Sequence, residues 1–184
     1  MLQNLPNILT VSRILLLPVL IGLLLVPHDW AVWTAVWIYA FCAITDFFDG
    51  YLARRFETTS KFGTFLDPIS DKIMVGCLLL VLAGIGRLPE LWMVPALIIM
   101  TREFLISGLR EFLGPQNISV PVSKLAKWKT TVQMVALGFL VAGNLGNSIV
   151  PHTLLIGQVG LTIAAVITVI TGWSYLKVGF KYIN

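Results

Sequence analysis

Stretches of about twenty mostly apolar residues, the length needed to cross a hydrocarbon layer roughly 30 Å thick, recur along the chain with short polar breaks between them. They lie near residues 8–26, 31–53, 66–86, 91–112, 125–143 and 153–176. The breaks carry turn chemistry: Val26-Pro27-His28-Asp29, Gly84 to Pro89, Gly114-Pro115-Gln116-Asn117, and Gly143 to Pro151. This pattern predicts an all-α, polytopic membrane protein with six transmembrane helices, a single integral-membrane domain over residues 1–184, and no internal repeat. In the first run Arg13 is the only cation, and no small-residue cleavage site follows Val26, so it reads as a first membrane helix rather than a signal peptide.

Composition agrees, with 57% hydrophobic and 12% charged residues and a mean hydropathy of +0.88, outside the range of soluble globular domains. Cys42 and Cys77 both sit in apolar runs and read as packing residues, not a disulfide. A net charge of +4 on so little aqueous surface points away from nucleic acid and toward a bias of cations to one membrane face. Six spans put both termini on the same side. Placing that side in the cytoplasm sets Arg13, Arg54, Arg55, Lys61, Lys72, Arg102, Arg110, Lys124, Lys127, Lys129, Lys177 and Lys181 at or toward it and leaves Arg87 opposite. The expected location is the cytoplasmic (inner) membrane, with both termini and the active site facing the cytoplasm.

Charges within the spans need a reason, because each costs about 2.5–3.5 kcal/mol at the centre of an inserted helix. At 1.5 Å per residue, the uncharged stretch from Ala31 to Thr45 carries Asp46 roughly 22 Å into the hydrocarbon. Asp49 at i+3, Gly50 at i+4 and Ala53 at i+7 share its helical face. In the third span Asp67 and Asp71 stand at i and i+4, with Pro68 expected in the first turn. The short connection from Arg55 to Thr64 predicts that spans two and three are antiparallel neighbours, so that the four carboxylates converge.

Such a cluster repels itself unless protonated or neutralised, and hard divalent cations with oxygen ligands neutralise it naturally. Two Mg²⁺ ions would cancel four Asp, and a bimetal site suits in-line displacement at phosphorus. Gly50, Ala53 and Gly63 would let a bulky ligand approach the backbone closely. Taken singly, Asp residues also cap helices or pair with Arg, and small residues also pack helices. A divalent-cation transporter would place acids in the membrane too, although this cluster lies toward one face and without internal repeats.

The run Asp46-x2-Asp49-Gly50-x2-Ala53-Arg54-x8-Gly63-x3-Asp67-x3-Asp71 resembles the complete signature of the CDP-alcohol phosphotransferases. That resemblance implies a homodimeric integral-membrane enzyme that moves a phosphatidyl or similar group from a CDP-linked lipid to an alcohol, releasing CMP. It implies that Asp46, Asp49, Asp67 and Asp71 ligate Mg²⁺ or Mn²⁺, two ions in all, and that Asp71 is also the general base on the acceptor hydroxyl. It further implies that Gly50, Ala53, Arg54 and Gly63 hold the CDP moiety. The segment Pro6-Asn7-Ile8-Leu9-Thr10 is similar to the family's first-helix entry, where Asn7 and Thr10 either touch the nucleotide or cap the helix.

The acceptor is read from cations elsewhere. Arg102 and Arg110 are two turns apart in span four, and Lys127 and Lys129 open span five. Such cations suit a dianionic phosphate, whereas a zwitterion such as serine would need fewer; Lys124, Lys177 and Lys181 read as anchors at the cytoplasmic face. The stretch Arg102 to Glu111, with Lys127-x-Lys129-Thr130-Thr131-x-Gln133-Met134, resembles the branch of the family that uses sn-glycerol 3-phosphate, with Ala126 where that branch often has Gly. The resemblance implies CDP-diacylglycerol as donor, sn-glycerol 3-phosphate as acceptor, membrane lipids as surroundings, and Glu103 orienting Arg102 or the acceptor hydroxyls. Within the family, an inositol phosphate or serine is the alternative acceptor.

Overall fold

The computed structural model describes the backbone of residues 5–56, 61–114 and 124–183, and their side chains except at 5–7, 47–56, 61–65, 67, 68, 124, 174 and 178–183. Six α-helices follow one another: α1 (Leu5–Leu24), α2 (Asp29–Phe56), α3 (Lys61–Gly84), α4 (Met93–Leu113), α5 (Lys124–Ala142) and α6 (Thr153–Ile183). Short 3₁₀ turns, Glu90–Trp92 and Gly143–Ser148, precede α4 and α6, and no strand occurs among the described residues. Two stretches, Glu90–Leu113 and Thr153–Lys177, are long and apolar enough to cross a membrane, and Ile8–Leu24 is a shorter apolar helix.

Large apolar side chains cover the outside of the bundle as well as its core, unlike a water-soluble fold. On α1 the inward stripe reads Thr10, Arg13, Leu17, Leu20 and Leu24, while Ile8, Leu15 and Val19 face outward. On α6 Ile163, Val166, Val169 and Ile170 are exposed, whereas Thr168 and Thr171 are buried. All six helices contribute to one core, among them Leu20, Tyr39, Leu78, Ile99, Leu137 and Leu161. Cys42 and Cys77 are unpaired, as expected.

Among the described residues α1 packs against both α2 and α3, α2 against α5, and α6 against α4 and α5. Among the described residues α1 thus bridges α2 and α3, while the ends of those two helices where direct pairing is expected lie outside the described side chains. Helices α2 and α3 also run past the apolar stretches, leaving only residues 57–60 between them. Pro68 therefore lies two turns into α3 rather than in its first turn.

The ends of α3 and α5 are built around Arg87. Gly86, at φ +75°, closes α3, with the Arg87 N–H donating to the Leu82 carbonyl (2.9 Å) and the Gly86 N–H to the Ala83 carbonyl (3.1 Å), a pairing that requires the left-handed residue glycine tolerates. The Arg87 guanidinium then donates to the Leu140 carbonyl at 2.8 Å and to the Val141 carbonyl, acceptors left open at the end of α5. Burial pulls the Arg87 pKa below the ordinary arginine value. Gln158 of α6 donates back to the Arg87 carbonyl at 3.0 Å. Arg87, expected only as a lone outer cation, is a clamp joining three helices.

Close packing of α5 on α6 depends on Gly157. A Cβ there would meet Leu140 Cγ at 2.8 Å, the Leu140 backbone nitrogen at 2.9 Å and the Ala136 carbonyl oxygen at 3.1 Å. Two of these are backbone atoms, so only separation of the helices relieves the contact. We predict that Gly157→Ala destabilises the protein by about 1–3 kcal/mol, whereas Gly22→Ala, where nothing lies within 4 Å, has no such effect; thermal unfolding in detergent reads the difference.

Candidate active site

Asp46 of α2 and Asp71 of α3 meet on one guanidinium. Arg13 of α1, 2% exposed, donates from Nη1 to Asp46 Oδ1 and, at 3.1 Å, to Asp71 Oδ1. A buried cation is tolerable only when paired, and the two carboxylates supply the pairing. Their exposures differ, 23% for the Asp46 side chain and 51% for Asp71, so Asp71 is the one open to a ligand. Thr10 lies one turn before Arg13 on the same buried stripe. Arg13, expected as one of the cations toward the cytoplasmic face, also links the acids of two helices. The signal for this was present, since a single Arg within an apolar helix calls for a carboxylate at the same depth.

Asp49, Asp67, Asn7, Gly50, Ala53, Arg54 and Gly63 lie outside the residues whose side chains are described. Among the described residues no third metal-ligating side chain joins Asp46 and Asp71. The pair itself fits a hard divalent cation such as Mg²⁺ or Mn²⁺, because it offers carboxylate oxygens from two helices and one of them is half-exposed.

Beside the pair opens a polar cavity of about 120 Å³ lined by Asp46, Asp71, Lys72, Met74 and Val75 on one side and Glu103, Lys129, Thr130, Gln133 and Met134 on the other. Lys129, 5% exposed, donates to Glu103 Oε1. Arg102 Nη1 donates to the same oxygen at 3.2 Å. Glu103 therefore holds two cations together, which agrees with its expected role of orienting Arg102. Lys72 donates to Ser107 Oγ across the α3–α4 boundary. Lys129 and Gln133 stand at i and i+4 on α5, which is why both face the cavity while Trp128 faces out.

The other predicted acceptor cations are spread wider. The Arg102 and Arg110 guanidinium carbons lie 5.5 Å and 5.3 Å from the centre of the Tyr175 ring on α6, a cation–π arrangement in which Arg110 also donates to the Tyr175 hydroxyl at 3.4 Å. The two arginines do share a face, as their spacing predicts. Gly172 gives Arg102 room there, since a Cβ would stand 3.1 Å from its Cγ. Lys127 is exposed and does not line the cavity. Lys129 is thus brought to Asp71, Arg102 stands behind Glu103, Arg110 is tied to Tyr175, and Lys127 lies apart. Arg13, Lys72, Gln133 and Tyr175 are the site residues whose roles the sequence reasoning missed. The larger grooves, between α2 and α5 and between α4 and α6, are lined almost wholly by apolar side chains.

An all-helical bundle with paired acids facing a cation-lined cavity defines a class that comparison with known proteins identifies. The model of the CDP-alcohol phosphatidyltransferase family matches residues 3–172, and the chain belongs to that family. It is 46% identical over 180 residues to the CDP-diacylglycerol–glycerol-3-phosphate 3-phosphatidyltransferase of Rickettsia bellii (strain RML369-C), covering 98% of this chain and 97% of that one. It is 37% identical to the protein of the same name from Cereibacter sphaeroides, with 98% and 97% covered, and 36% identical to that of Salmonella choleraesuis, with 95% and 92% covered.

Replacing Arg13 removes the cation that Asp46 and Asp71 share. We predict that Arg13→Met lowers stability in metal-free, chelator-treated detergent solution by about 2–3 kcal/mol, less than for a fully buried pair because Asp71 is half-exposed. Arg13→Lys should retain part of that stability; equal melting temperatures for Arg13→Met and wild type would contradict the bridging role.

Proposed function

We propose that this protein transfers the phosphatidyl group of CDP-diacylglycerol to sn-glycerol 3-phosphate, giving phosphatidylglycerophosphate and CMP. The observation that carries this reading is the single cavity in which Asp46 and Asp71 face Lys129. An acid suited to take a proton thereby stands opposite a cation suited to hold a phosphate. The relatives' names and the family membership support the same donor and acceptor. That membership also speaks against a cation transporter.

In this reading Asp46, Asp49, Asp67 and Asp71 hold two divalent ions, Mg²⁺ or Mn²⁺. Such ions, when bound, draw charge from the diphosphate oxygens and stabilise the CMP that leaves. Asn7, Thr10, Gly50, Ala53, Arg54 and Gly63 bind the CDP moiety. Lys129 holds the acceptor phosphate as a point charge, with Arg102 supporting it through Glu103, and Arg110 and Lys127 extend the positive field toward the cavity mouth. The Asp71 carboxylate takes the proton of the acceptor's C1 hydroxyl. The oxygen then bonds to the lipid-side phosphorus as the bond from that phosphorus to the CMP oxygen breaks.

The protein acts as a homodimer in the cytoplasmic membrane, with six spans and with both termini and the cavity toward the cytoplasm. Helices of 19 residues or more support the six spans, since 19 residues rise about 28 Å. The clustering of cations toward one side supports the orientation.

Purified protein in detergent with CDP-diacylglycerol and Mg²⁺ should release CMP only when glycerol 3-phosphate is added. Equal release with serine would refute the acceptor assignment. Asp71→Asn, whose amide oxygen can still accept from Arg13, should fold with wild-type helical content and a lowered melting temperature yet lose about 10²-fold or more in kcat; wild-type turnover in that variant would refute the general base. Lys129→Met should raise the KM for glycerol 3-phosphate while leaving that for CDP-diacylglycerol nearly unchanged.

A further inference from the structure

Gln133 is 5% exposed, lines the polar cavity, and has an amide oxygen that accepts no hydrogen bond. A buried carbonyl without a donor is unfavourable and uncommon in a settled interior. Nothing in the packing of α5 requires it, because its neighbours on that face beyond the cavity, Ala136, Leu137 and Leu140, are apolar core residues. A polar residue kept at that position implies a partner that arrives from the cavity.

The other polar groups of the lining are already engaged. Lys72 is bonded to Ser107, Glu103 to Lys129 and Arg102, the Thr130 hydroxyl to the Ala126 carbonyl at 3.2 Å, and both Asp46 and Asp71 to Arg13. Gln133 lies one helical turn, about 6 Å, along α5 from Lys129 and on the same face. An acceptor whose phosphate rests on Lys129 and whose reacting hydroxyl meets Asp71 carries its remaining polar group between these two points, in the cavity that Gln133 also lines. In glycerol 3-phosphate that group is the C2 hydroxyl. The terminal amide torsion of Gln is soft, so a modest rotation presents the oxygen to it.

We propose that Gln133 accepts a hydrogen bond from the C2 hydroxyl of the acceptor and so selects a vicinal diol phosphate over a simple hydroxyalkyl phosphate. This rests on the glycerol 3-phosphate reading above. It adds a residue that discriminates among phosphorylated alcohols, a task the cations alone perform poorly because any phosphate dianion satisfies them.

The test compares glycerol 3-phosphate with 3-hydroxypropyl phosphate, which lacks only the C2 hydroxyl, in wild type and in Gln133→Met. Wild type should prefer glycerol 3-phosphate by about tenfold or more in kcat/KM, since a site built around a hydrogen bond rejects the analogue that cannot make it. In Gln133→Met the preference should collapse to within about twofold, through loss with glycerol 3-phosphate and little change with the analogue. An equal fall with both acceptors would mark Gln133 as structural and overturn the proposal, as would a wild type that does not discriminate. If Gln133→Met loses its melting transition, Gln133→Asn takes its place: it withdraws the amide by one methylene and should narrow the same ratio, and an unchanged ratio there would overturn the proposal. Absence of any glycerol 3-phosphate-dependent CMP release from wild type would overturn the acceptor reading and this proposal with it, whereas release with an unchanged ratio in the variants would overturn the proposal alone.

Discussion

One guanidinium between two carboxylates, each from a different helix, sets the terms for the end of the bundle that holds the polar cavity. Arg13 cannot stay buried unless Asp46 and Asp71 come to it, and those acids cannot stand close together without a cation between them. In a medium of low dielectric both attractions and penalties are enlarged, so the three-helix arrangement is tightly specified. It also explains why α1 lies against both α2 and α3. The second buried pair, Lys129 with Glu103, closes the opposite wall. The cavity between is polar because both of its walls are ionic.

Placement of the second wall depends on how α5 is rotated. Gly157 and Gly160 allow α6 to approach Ala136 and Leu140 closely, and Arg87 fastens the last carbonyls of the helix. With the apolar end fixed at that angle, the 3.6-residue period carries Lys129 and Gln133 inward and Lys127 and Trp128 outward. Small residues remote from the chemistry therefore decide which cation of the Lys127–Lys129 pair reaches the acid.

Much of this was legible in the sequence because a bilayer penalises ions so strongly. The six apolar runs correspond to the six helices, and Asp46 and Asp71 stood out as charges with no apolar excuse. Helix ends were less legible. Hydropathy marks where hydrocarbon begins, not where hydrogen bonding stops, so α2 continues through Arg54 and Arg55 to Phe56 and α6 continues to Ile183. The role of Arg13 was hidden by the rule that places cations at the cytoplasmic face, which accounts for a charge without asking for its partner. Lys127 was grouped with Lys129 by proximity in sequence, although two residues on a helix point to nearly opposite sides. The duty of Arg87 could not be read locally, since its acceptors are supplied by the far end of another helix.

That last clamp constrains how the protein is made. Arg87 binds the carbonyl of a residue synthesised 53 positions later and receives a hydrogen bond from one 71 positions later. Until α5 is made its guanidinium lacks the Leu140 and Val141 carbonyls, and until α6 is made its own carbonyl lacks the Gln158 amide, so water must solvate both. Burial of the α3–α4 corner therefore depends on α5 and α6 being in place to supply those partners. A corner made early in the chain is thus completed by its last two helices.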